Sequence, residues 1–217
     1  MNRVAGLPTA ERNELFTLTA ERRGLGSTAV VEKDFWVCWT LKRLFEHPAL
    51  SEQLIFKGGT SLSKVFGLVE RFSEDIDLIL DWRMVTDENP LANRSKTKQE
   101  RLNREINEKA RIPPRYSRHY YDLHMMSPSE VKDRALADLQ LLKSVVEFKM
   151  RFYPRGWAQY ELACSRTMKL IPPKRILDAM RNDYASMQEM IFGQSPEFDD
   201  IVDGLRKLEI EINQLEV

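Results

Sequence analysis

Cysteine, histidine and long apolar runs are scarce in this chain. Its 217 residues include only Cys38, Cys164 and three histidines, and neither cysteine has a second cysteine or a histidine at metal-ligand spacing. A disulfide framework and a zinc site are therefore not expected, and a reducing cytoplasm suits the sequence best. The first residues lack the apolar stretch of a signal peptide, and no run approaches the roughly 18 apolar residues of a membrane span. We expect a soluble, cytoplasmic protein with no membrane contact.

Net charge is also absent. Lys plus Arg and Asp plus Glu number 33 each, so the overall charge gives no argument for nucleic acid or membrane binding. The charge is uneven, however: residues 94–118 contain nine Lys/Arg and three acids, whereas residues 194–217 contain seven acids and two Lys/Arg. The basic stretch either attracts an RNA or nucleotide substrate or is an exposed linker. The acidic stretch is either a solvated helix face or a docking surface for a basic partner.

A glycine turn between an apolar run and a short helix is the most informative feature. Gly58 and Gly59 follow Leu54–Phe56, and glycine lets the backbone approach a ligand without a Cβ in the way. The helix that follows offers unpaired N–H groups and partial positive charge to an anion. Thr60 and Ser61 either cap this helix or donate hydroxyl hydrogen bonds to phosphate oxygens. The turn therefore predicts a phosphate site.

Three cations flank the glycine turn. Lys57 and Lys64 either remain solvated or add positive charge next to a bound triphosphate. Arg71 either pairs with Asp75 or Asp77, or reaches a phosphate itself. All three are candidate nucleotide-binding residues.

Two aspartates follow the turn. Asp75 and Asp77 are two residues apart, so a strand would project both carboxylates from one face while Ile76, Leu78 and Leu80 occupy the other. Carboxylates about 7 Å apart along a strand can share hard Mg²⁺ (or Mn²⁺) ions, which are held by one or two carboxylates plus substrate phosphates. The combination predicts phosphoryl or nucleotidyl transfer.

A second polar cluster lies at Arg115–Leu123. It contains Arg118, His119 and Asp122 among three tyrosines, a combination that can recognise phosphate and stack a base. We count Arg118 and Asp122 as candidate catalytic residues.

The hydrophobic periodicity predicts a mixed α+β chain, in which two short strands lie among helices. We divide it into an α/β core over 1–126, whose polar junction spans 83–115, and a helical region over 127–217. Helices are predicted from Thr9 to Gly24, from Ser27 or Thr28 to about Phe45, over 60–70 and 97–110, from Ser127–Glu130 through Met150, from Pro172–Pro173 to Gly193, and after Ser195–Glu197, and strands over 53–57 and 75–81.

Three stretches carry a resemblance to a known family: Val31–Val37, Phe56 through Leu78, and Arg115–Leu123. With them the chain strongly resembles the AbiEii/AbiGii toxins, the nucleotidyltransferase half of type IV toxin–antitoxin and abortive-infection systems. The resemblance implies a DNA-polymerase-β-like nucleotidyltransferase sheet core flanked by helices, with a helical C-terminal region. Family members bind nucleoside triphosphates, some modify tRNA ends, and a cognate antitoxin restrains them. By the same resemblance, the phosphates are held by Gly59, Thr60 and Ser61, Mg²⁺ by Asp75 and Asp77, and the downstream catalytic motif includes Asp122.

The chain is shorter than this family in the middle. Family members place further strands and a catalytic lysine between the Asp-x-Asp strand and the later Arg–Asp motif. Here residues 81–114 are polar, and Lys109 is the one candidate for that lysine. A third carboxylate has no obvious carrier.

We therefore expect a Mg²⁺-dependent nucleotidyltransferase toxin that transfers a nucleotide to an RNA, such as a tRNA 3′ end, or to a protein hydroxyl. A degenerate, non-catalytic relative that binds an antitoxin or nucleic acid is the alternative. A kinase-like phosphotransferase built on the same residues is a third possibility.

Overall fold

The computed structural model describes residues 1–80, 114–154, 158–193 and 195–215. Over these residues the chain is mostly helical, with one two-stranded antiparallel sheet. This composition agrees with the predicted α+β class, whereas the polymerase-β-like core stays a prediction. The predicted helix over 97–110 lies outside the described residues.

The chain forms two compact units, and each contains two separate segments of sequence. The first unit takes in a late segment because residues near Met190 pair with the backbone near Arg71. The predicted domains, 1–126 and 127–217, stay a prediction. The two units are Met1–Ala92 with Met187–Ser195, and Asn93–Ser186 with Pro196–Val217.

The N-terminal part alternates helices with two short strands. The predicted helices from Thr9 and Thr28 and the predicted first strand are confirmed. The helix predicted over 60–70 is wrong in its bounds, because it begins at the glycine turn and ends at Lys64. The elements are α1 Asn2–Ala5, α2 Thr9–Arg22, α3 Thr28–Glu46, α4 Pro48–Ser51, β1 Leu54–Lys57, α5 Gly58–Lys64 and β2 Asp77–Leu80.

Aromatic side chains hold α2 against α3. The ring of Phe16 lies 5.4 Å from that of Phe35, which in turn lies 5.2 Å from Trp36. Trp36 also contacts Trp39 edge to face, and the Arg12 guanidinium lies 5.3 Å above the Trp36 ring. Ring pairs at these separations add to the free energy gained by burying their surface. These contacts stabilise the packing of α2 against α3.

The sheet presents its charged residues on its exposed face. Lys57 pairs with Asp77 and Phe56 with Leu78 in the antiparallel register. Phe45 of α3 packs against Phe56 with ring centroids 6.4 Å apart, so that face is half-buried. Because successive side chains alternate between faces, Lys57 and Asp77 project together from the opposite, exposed face.

A late segment of the chain completes the first unit. Arg71 and Ile191 form an antiparallel bridge, and the Phe72 N–H donates to the Met190 carbonyl at 2.8 Å. The rings of Phe72 and Phe192 lie 4.9 Å apart. These contacts fix the backbone at Arg71, which lies beside the glycine turn.

The later elements are all helical. The predicted helix after Pro172–Pro173 and the predicted last helix are confirmed, although the former changes to a 3₁₀ turn before its expected end. None of the helices in the described ranges is long and apolar enough to cross a membrane. The elements are α6 Arg118–Met126, α7 Glu130–Ala137, α8 Leu139–Phe152, a 3₁₀ turn Tyr160–Leu162, α9 Lys174–Met187, a 3₁₀ turn Gln188–Met190 and α10 Phe198–Gln214.

One predicted helix is two helices. The expectation of a single helix from Ser127–Glu130 through Met150 is wrong, because the chain leaves helical geometry at Asp138 (φ −119°, ψ 70°). The Asp138 carboxylate accepts a hydrogen bond from the Leu141 N–H at 2.9 Å. Aspartate is a preferred N-cap, so Asp138 ends α7 and caps the start of α8.

The core of the second unit lies between α6 and α10. Tyr121 of α6 and Ile201 and Leu205 of α10 are fully buried, as is Met180 of α9. Ile201 and Leu205 are one turn apart and therefore share a helix face. The predicted apolar stripe of the last helix is thus confirmed as core, and it supports α6.

Candidate active site

The two glycines of the turn contact a carboxylate and a guanidinium. Gly58 has a φ of 81°, and a Cβ built on it would lie 2.9 Å from the Asp77 Cγ. A Cβ on Gly59 would lie 2.5 Å from Nη2 of Arg71. Both distances are too short for an alanine, so only glycine lets the turn lie directly against Asp77 and Arg71. The positive φ of Gly58 also favours glycine.

Arg71 is the cation beneath this turn. Its side chain is only 3% exposed, and its Nη1 donates to the Phe72 carbonyl at 3.1 Å. A buried guanidinium keeps its charge but cannot extend far into solvent. We therefore interpret Arg71 as support for the turn and as a source of positive potential at Gly59. Helix α5 has just seven residues, so we expect its dipole to add less positive potential at Gly59 than the Arg71 guanidinium does. The predicted nucleotide-binding role of Arg71 stays a prediction.

Thr60 attaches α5 to the loop that precedes β2. It is 1% exposed, and its Oγ1 donates to the Asp75 carbonyl at 2.6 Å. The expectation that Asp75 lies in the strand is wrong, because its carbonyl bonds to this side chain and β2 begins at Asp77. Ser61 is also buried. Phosphate contacts from Thr60 and Ser61 stay predictions.

The carboxylates of Asp75 and Asp77 are accessible to a metal ion. Both side chains are exposed, and across the described residues neither carboxylate has a hydrogen bond or an ion pair. Within the same ranges, no three His, Cys, Asp or Glu side chains group closely enough to hold a metal ion. Two carboxylates still suit Mg²⁺, which usually keeps several waters and adds substrate phosphates to one or two protein ligands. The donor set fits that ion.

The two lysines of the turn differ in their surroundings. Lys57 is exposed and lies opposite Asp77 in the sheet. Lys64 Nζ lies 2.6 Å from Asp34 Oδ1 and 5.8 Å from the centre of the Phe72 ring. Lys64 is thus held in a half-buried ion pair, whereas the Lys57 side chain is exposed on the same face of the sheet as Asp77. Their predicted nucleotide contacts stay predictions.

Two α3 residues that sequence reasoning gave no role hold the site together. Asp34 pairs with Lys64 of α5, and Lys33 Nζ lies 2.9 Å from Glu74, next to Asp75. These pairs connect α3 to the helix and the loop that carry the site, and the exposed Lys33–Glu74 pair is the weaker of the two. Lys33 and Asp34 both lie in Val31–Val37, one of the three stretches that carry the family resemblance. The resemblance did not indicate which residues they contact.

Arg118 and Asp122 belong to the second unit. Arg118 begins α6, and Asp122 lies one turn later on the same side of the helix. Asp122 is buried and has interaction partners. The predicted participation of these two residues in catalysis with Asp75 and Asp77 stays a prediction, as does the role of Lys109, which lies outside the described residues.

Asp183 of α9 fixes the turn that leads into α6. Its Oδ1 accepts from the Arg115 N–H at 2.6 Å, and its Oδ2 accepts from the Ser117 N–H at 2.8 Å and the Ser117 hydroxyl at 2.6 Å. Burial raises the pKa of Asp183, but the hydrogen bonds from Ser117, Arg115 and Tyr116 outweigh it and leave this pKa below its usual value. Sequence reasoning missed this contact because 66 residues separate Asp183 from Ser117.

Asp183→Asn is expected to lower the free energy of unfolding by about 1–3 kcal/mol, since the amide leaves a donor of this turn unpaired. A lowered native pKa means that the stability from Asp183 is present above the unfolded-state pKa and is lost as the pH falls through the native value. Urea unfolding at pH 7 and pH 3 measures this: the difference between wild type and variant should be larger at pH 7 than at pH 3. An equal difference at both values would contradict the assignment.

Aromatic rings surround the start of α6. The Tyr116 ring lies 5.2 Å from His119, edge to face, and 6.5 Å from Tyr120. Burial, with a smaller effect of Tyr116, raises the pKa of Tyr120 to about 12. Tyr116 and His119 are exposed, so they offer ring surface to a base. This stacking role stays a prediction.

Comparison with known proteins places these residues in one family. A family model described as the nucleotidyl transferase AbiEii toxin of a type IV toxin–antitoxin system matches residues 39–113 and 107–204. The first match contains the glycine turn with Asp75 and Asp77, and the second contains Arg118 and Asp122. No curated protein and no solved structure matches the chain.

Proposed function

Because this chain belongs to the AbiEii family of nucleotidyltransferase toxins, matched over more than half of its length, we propose that it transfers a nucleotide from a nucleoside triphosphate to a hydroxyl group. The reaction would need Mg²⁺ or Mn²⁺. The acceptor would be an RNA, such as a tRNA 3′ end, or a protein. One observation carries the proposal: the exposed Asp77 carboxylate lies against the glycine turn with no competing partner in the described residues.

Each side chain of the first unit has a distinct task in this proposal. Asp77 and Asp75 would hold the metal ion, which when bound neutralises charge on the transferring phosphoryl group. The absence of a Cβ at Gly58 leaves room for the Asp77 carboxylate directly against the turn, and a group that already lies in place needs little rearrangement during reaction. Arg71 adds positive charge beneath the turn. Lys57 would steer the triphosphate towards Asp77.

The residues of the second unit enter the proposal through the family. Asp122 would belong to the downstream catalytic motif, and Arg118 would accompany it. The two matched segments overlap at residues 107–113, within the polar stretch that we expect to be shortened. That arrangement supports a family member with a reduced middle region.

The biological setting follows from the same membership. A type IV toxin would block translation by modifying its acceptor in the cytoplasm, and a cognate antitoxin would restrain it.

Nucleotidyl transfer can be measured directly with labelled substrates. The chain would be incubated with Mg²⁺, total tRNA and each of the four nucleoside triphosphates labelled at the α-phosphate. We expect label in RNA or in protein, and we expect Asp75→Ala to abolish it. Asp122→Asn, which retains the side-chain volume, tests the downstream residue in the same assay. Transfer that persists unchanged in Asp75→Ala would contradict the site.

The same assay distinguishes the other functions. Transfer of a γ-phosphate label in place of the α-phosphate label would indicate a phosphotransferase. A chain that binds neither nucleotide nor metal would be a non-catalytic binding module. This second function has one observation in its favour, since the described residues group no third metal ligand with the two aspartates.

A further inference from the structure

Helix α8 has an apolar stripe that stays largely exposed among the described residues of its unit. Leu141, Val145, Phe148 and Phe152 follow one another at spacings of four, three and four residues, so they share one side of the helix. Leu141 is 57% exposed, Val145 47% and Phe148 49%, whereas Phe152 at the end of the stripe is half-buried. The rings of Phe148 and Phe152 lie 4.7 Å apart along this stripe. Exposed apolar side chains gathered in this way mark an interaction surface.

This stripe is separate from the side of α8 that packs within the unit. Helix α8 contacts α7 and the 3₁₀ turn Tyr160–Leu162. Its residues Leu139, Leu142 and Val146 are half-buried, and they lie on an adjacent side. The stripe therefore takes no part in the packing of α8 against α7 and the 3₁₀ turn.

We propose that the α8 stripe binds the α8 stripe of a second copy of this chain, with the two helices antiparallel. Alternating spacings of three and four residues are the pattern of a coiled-coil seam. A two-fold axis across the middle of the stripe places Val145 on Phe148 of the second copy. It also places Leu141 on Phe152 of the second copy. One stripe thus supplies both halves of a self-complementary interface, as two-fold symmetry requires.

The charges along α8 favour this antiparallel arrangement. Its N-terminal end carries Asp138, and its C-terminal end carries Lys149 and Arg151. The remaining charged residues of the helix, Lys143 and Glu147, lie on the side away from the stripe and do not face the second copy. Antiparallel pairing brings the acidic end of each helix to the basic end of the other and also opposes the two helix dipoles. Parallel pairing would bring like ends together. An anionic membrane would attract the basic end alone and repel Asp138, so a second copy suits the helix better.

The size of the surface sets the expected strength. A single pair of four-turn helices buries less than the roughly 1,200–2,000 Å² of a standard interface. We therefore expect a weak, concentration-dependent dimer with a dissociation constant in the micromolar range.

Sedimentation velocity over a range of concentrations tests the dimer. We expect wild type to pass from monomer to dimer, and Val145→Glu to raise the dissociation constant by at least about tenfold. Leu15→Glu is the matched control, because Leu15 is similarly exposed (42%) but lies on α2; it should dimerise as wild type does. Circular dichroism confirms that both variants keep their helix content.

A mixing experiment tests the antiparallel register. Val145→Glu and Phe148→Lys should each fail to dimerise alone. In an equimolar mixture, antiparallel pairing places the new glutamate against the new lysine and leaves one native Val145–Phe148 layer intact. We therefore expect the mixture to recover the dimer. Parallel pairing would place neither new charge against the other.

Three outcomes would overturn the proposal. The first is a wild-type chain that stays monomeric up to roughly 1 mM. The second is a dimer that persists in Val145→Glu, and the third is a mixture that recovers nothing. A monomer that binds phosphatidylglycerol vesicles through Val145 would assign the stripe to a lipid surface instead.

Discussion

Asp77→Asn is expected to lower nucleotidyl transfer by at least about 10²-fold, as the loss of one preorganised electrostatic group does in other enzymes. The amide keeps the size of the side chain but removes the charge that would hold Mg²⁺. Stability should be nearly unchanged, because the Asp77 carboxylate is exposed and makes no hydrogen bond or ion pair with the described residues. Initial rates with an α-labelled nucleotide, together with a thermal melt, measure both effects.

Asp133→Asn is the matched control for this change. Asp133 is an exposed acid of α7, outside the site, and its replacement should leave the transfer rate as in wild type. Isothermal titration with MgCl₂ and MnCl₂ adds a second measurement, in which Asp77→Asn should weaken metal binding. An Asp77→Asn variant that keeps the wild-type rate and the wild-type metal affinity would remove Asp77 from the site.

Gly58→Ala is expected to reduce nucleotidyl transfer about as strongly as Asp77→Asn does, although it changes no charged group. The new Cβ would lie 2.9 Å from Asp77 Cγ, so the carboxylate must rotate away from the turn. A displacement of about 1 Å in a positioned group can cost about 10²-fold in rate. The left-handed φ of 81° adds a stability loss of about 1–2 kcal/mol. Rates and urea unfolding separate the two effects.

Gly67→Ala isolates the backbone contribution. Gly67 has a φ of 60°, but a Cβ there would meet nothing within 4 Å. This variant should lose a similar amount of stability and keep its activity. If Gly67→Ala lost as much activity as Gly58→Ala, backbone strain would explain both results, and the contact with Asp77 would have no catalytic meaning.

Local parts of the fold were predictable because local rules govern them. The glycine turn and β1 were predicted because turn chemistry and the alternation of apolar residues indicate their own structure. The α10 stripe was predicted for the same reason. The start of β2 was not, because Asp75 is held in the preceding loop by Thr60 and the strand begins at Asp77. The break at Asp138 was missed because the apolar period continues through it. An aspartate inside a periodic run can be either an N-cap or an exposed residue of one continuous helix, and the pattern does not distinguish them.

Long-range contacts were not predictable from the same patterns. Lys33 bonds to Glu74, which is 41 residues later, and Asp183 bonds to Ser117. In a chain that is 30% charged, many such pairs are conceivable, and composition does not choose among them. Their partners depend on how the elements pack.

The sequence by itself determined the family and the candidate residues of the site, because these reside in short motifs whose residue types and spacing are visible in one dimension. Only the tertiary structure decided where those residues lie and which groups they contact. It places Arg71 beneath Gly59, bonds the Asp75 carbonyl to Thr60 and leaves the Asp77 carboxylate exposed. Burial and the choice of partner follow from packing between segments distant in sequence, which no local pattern encodes.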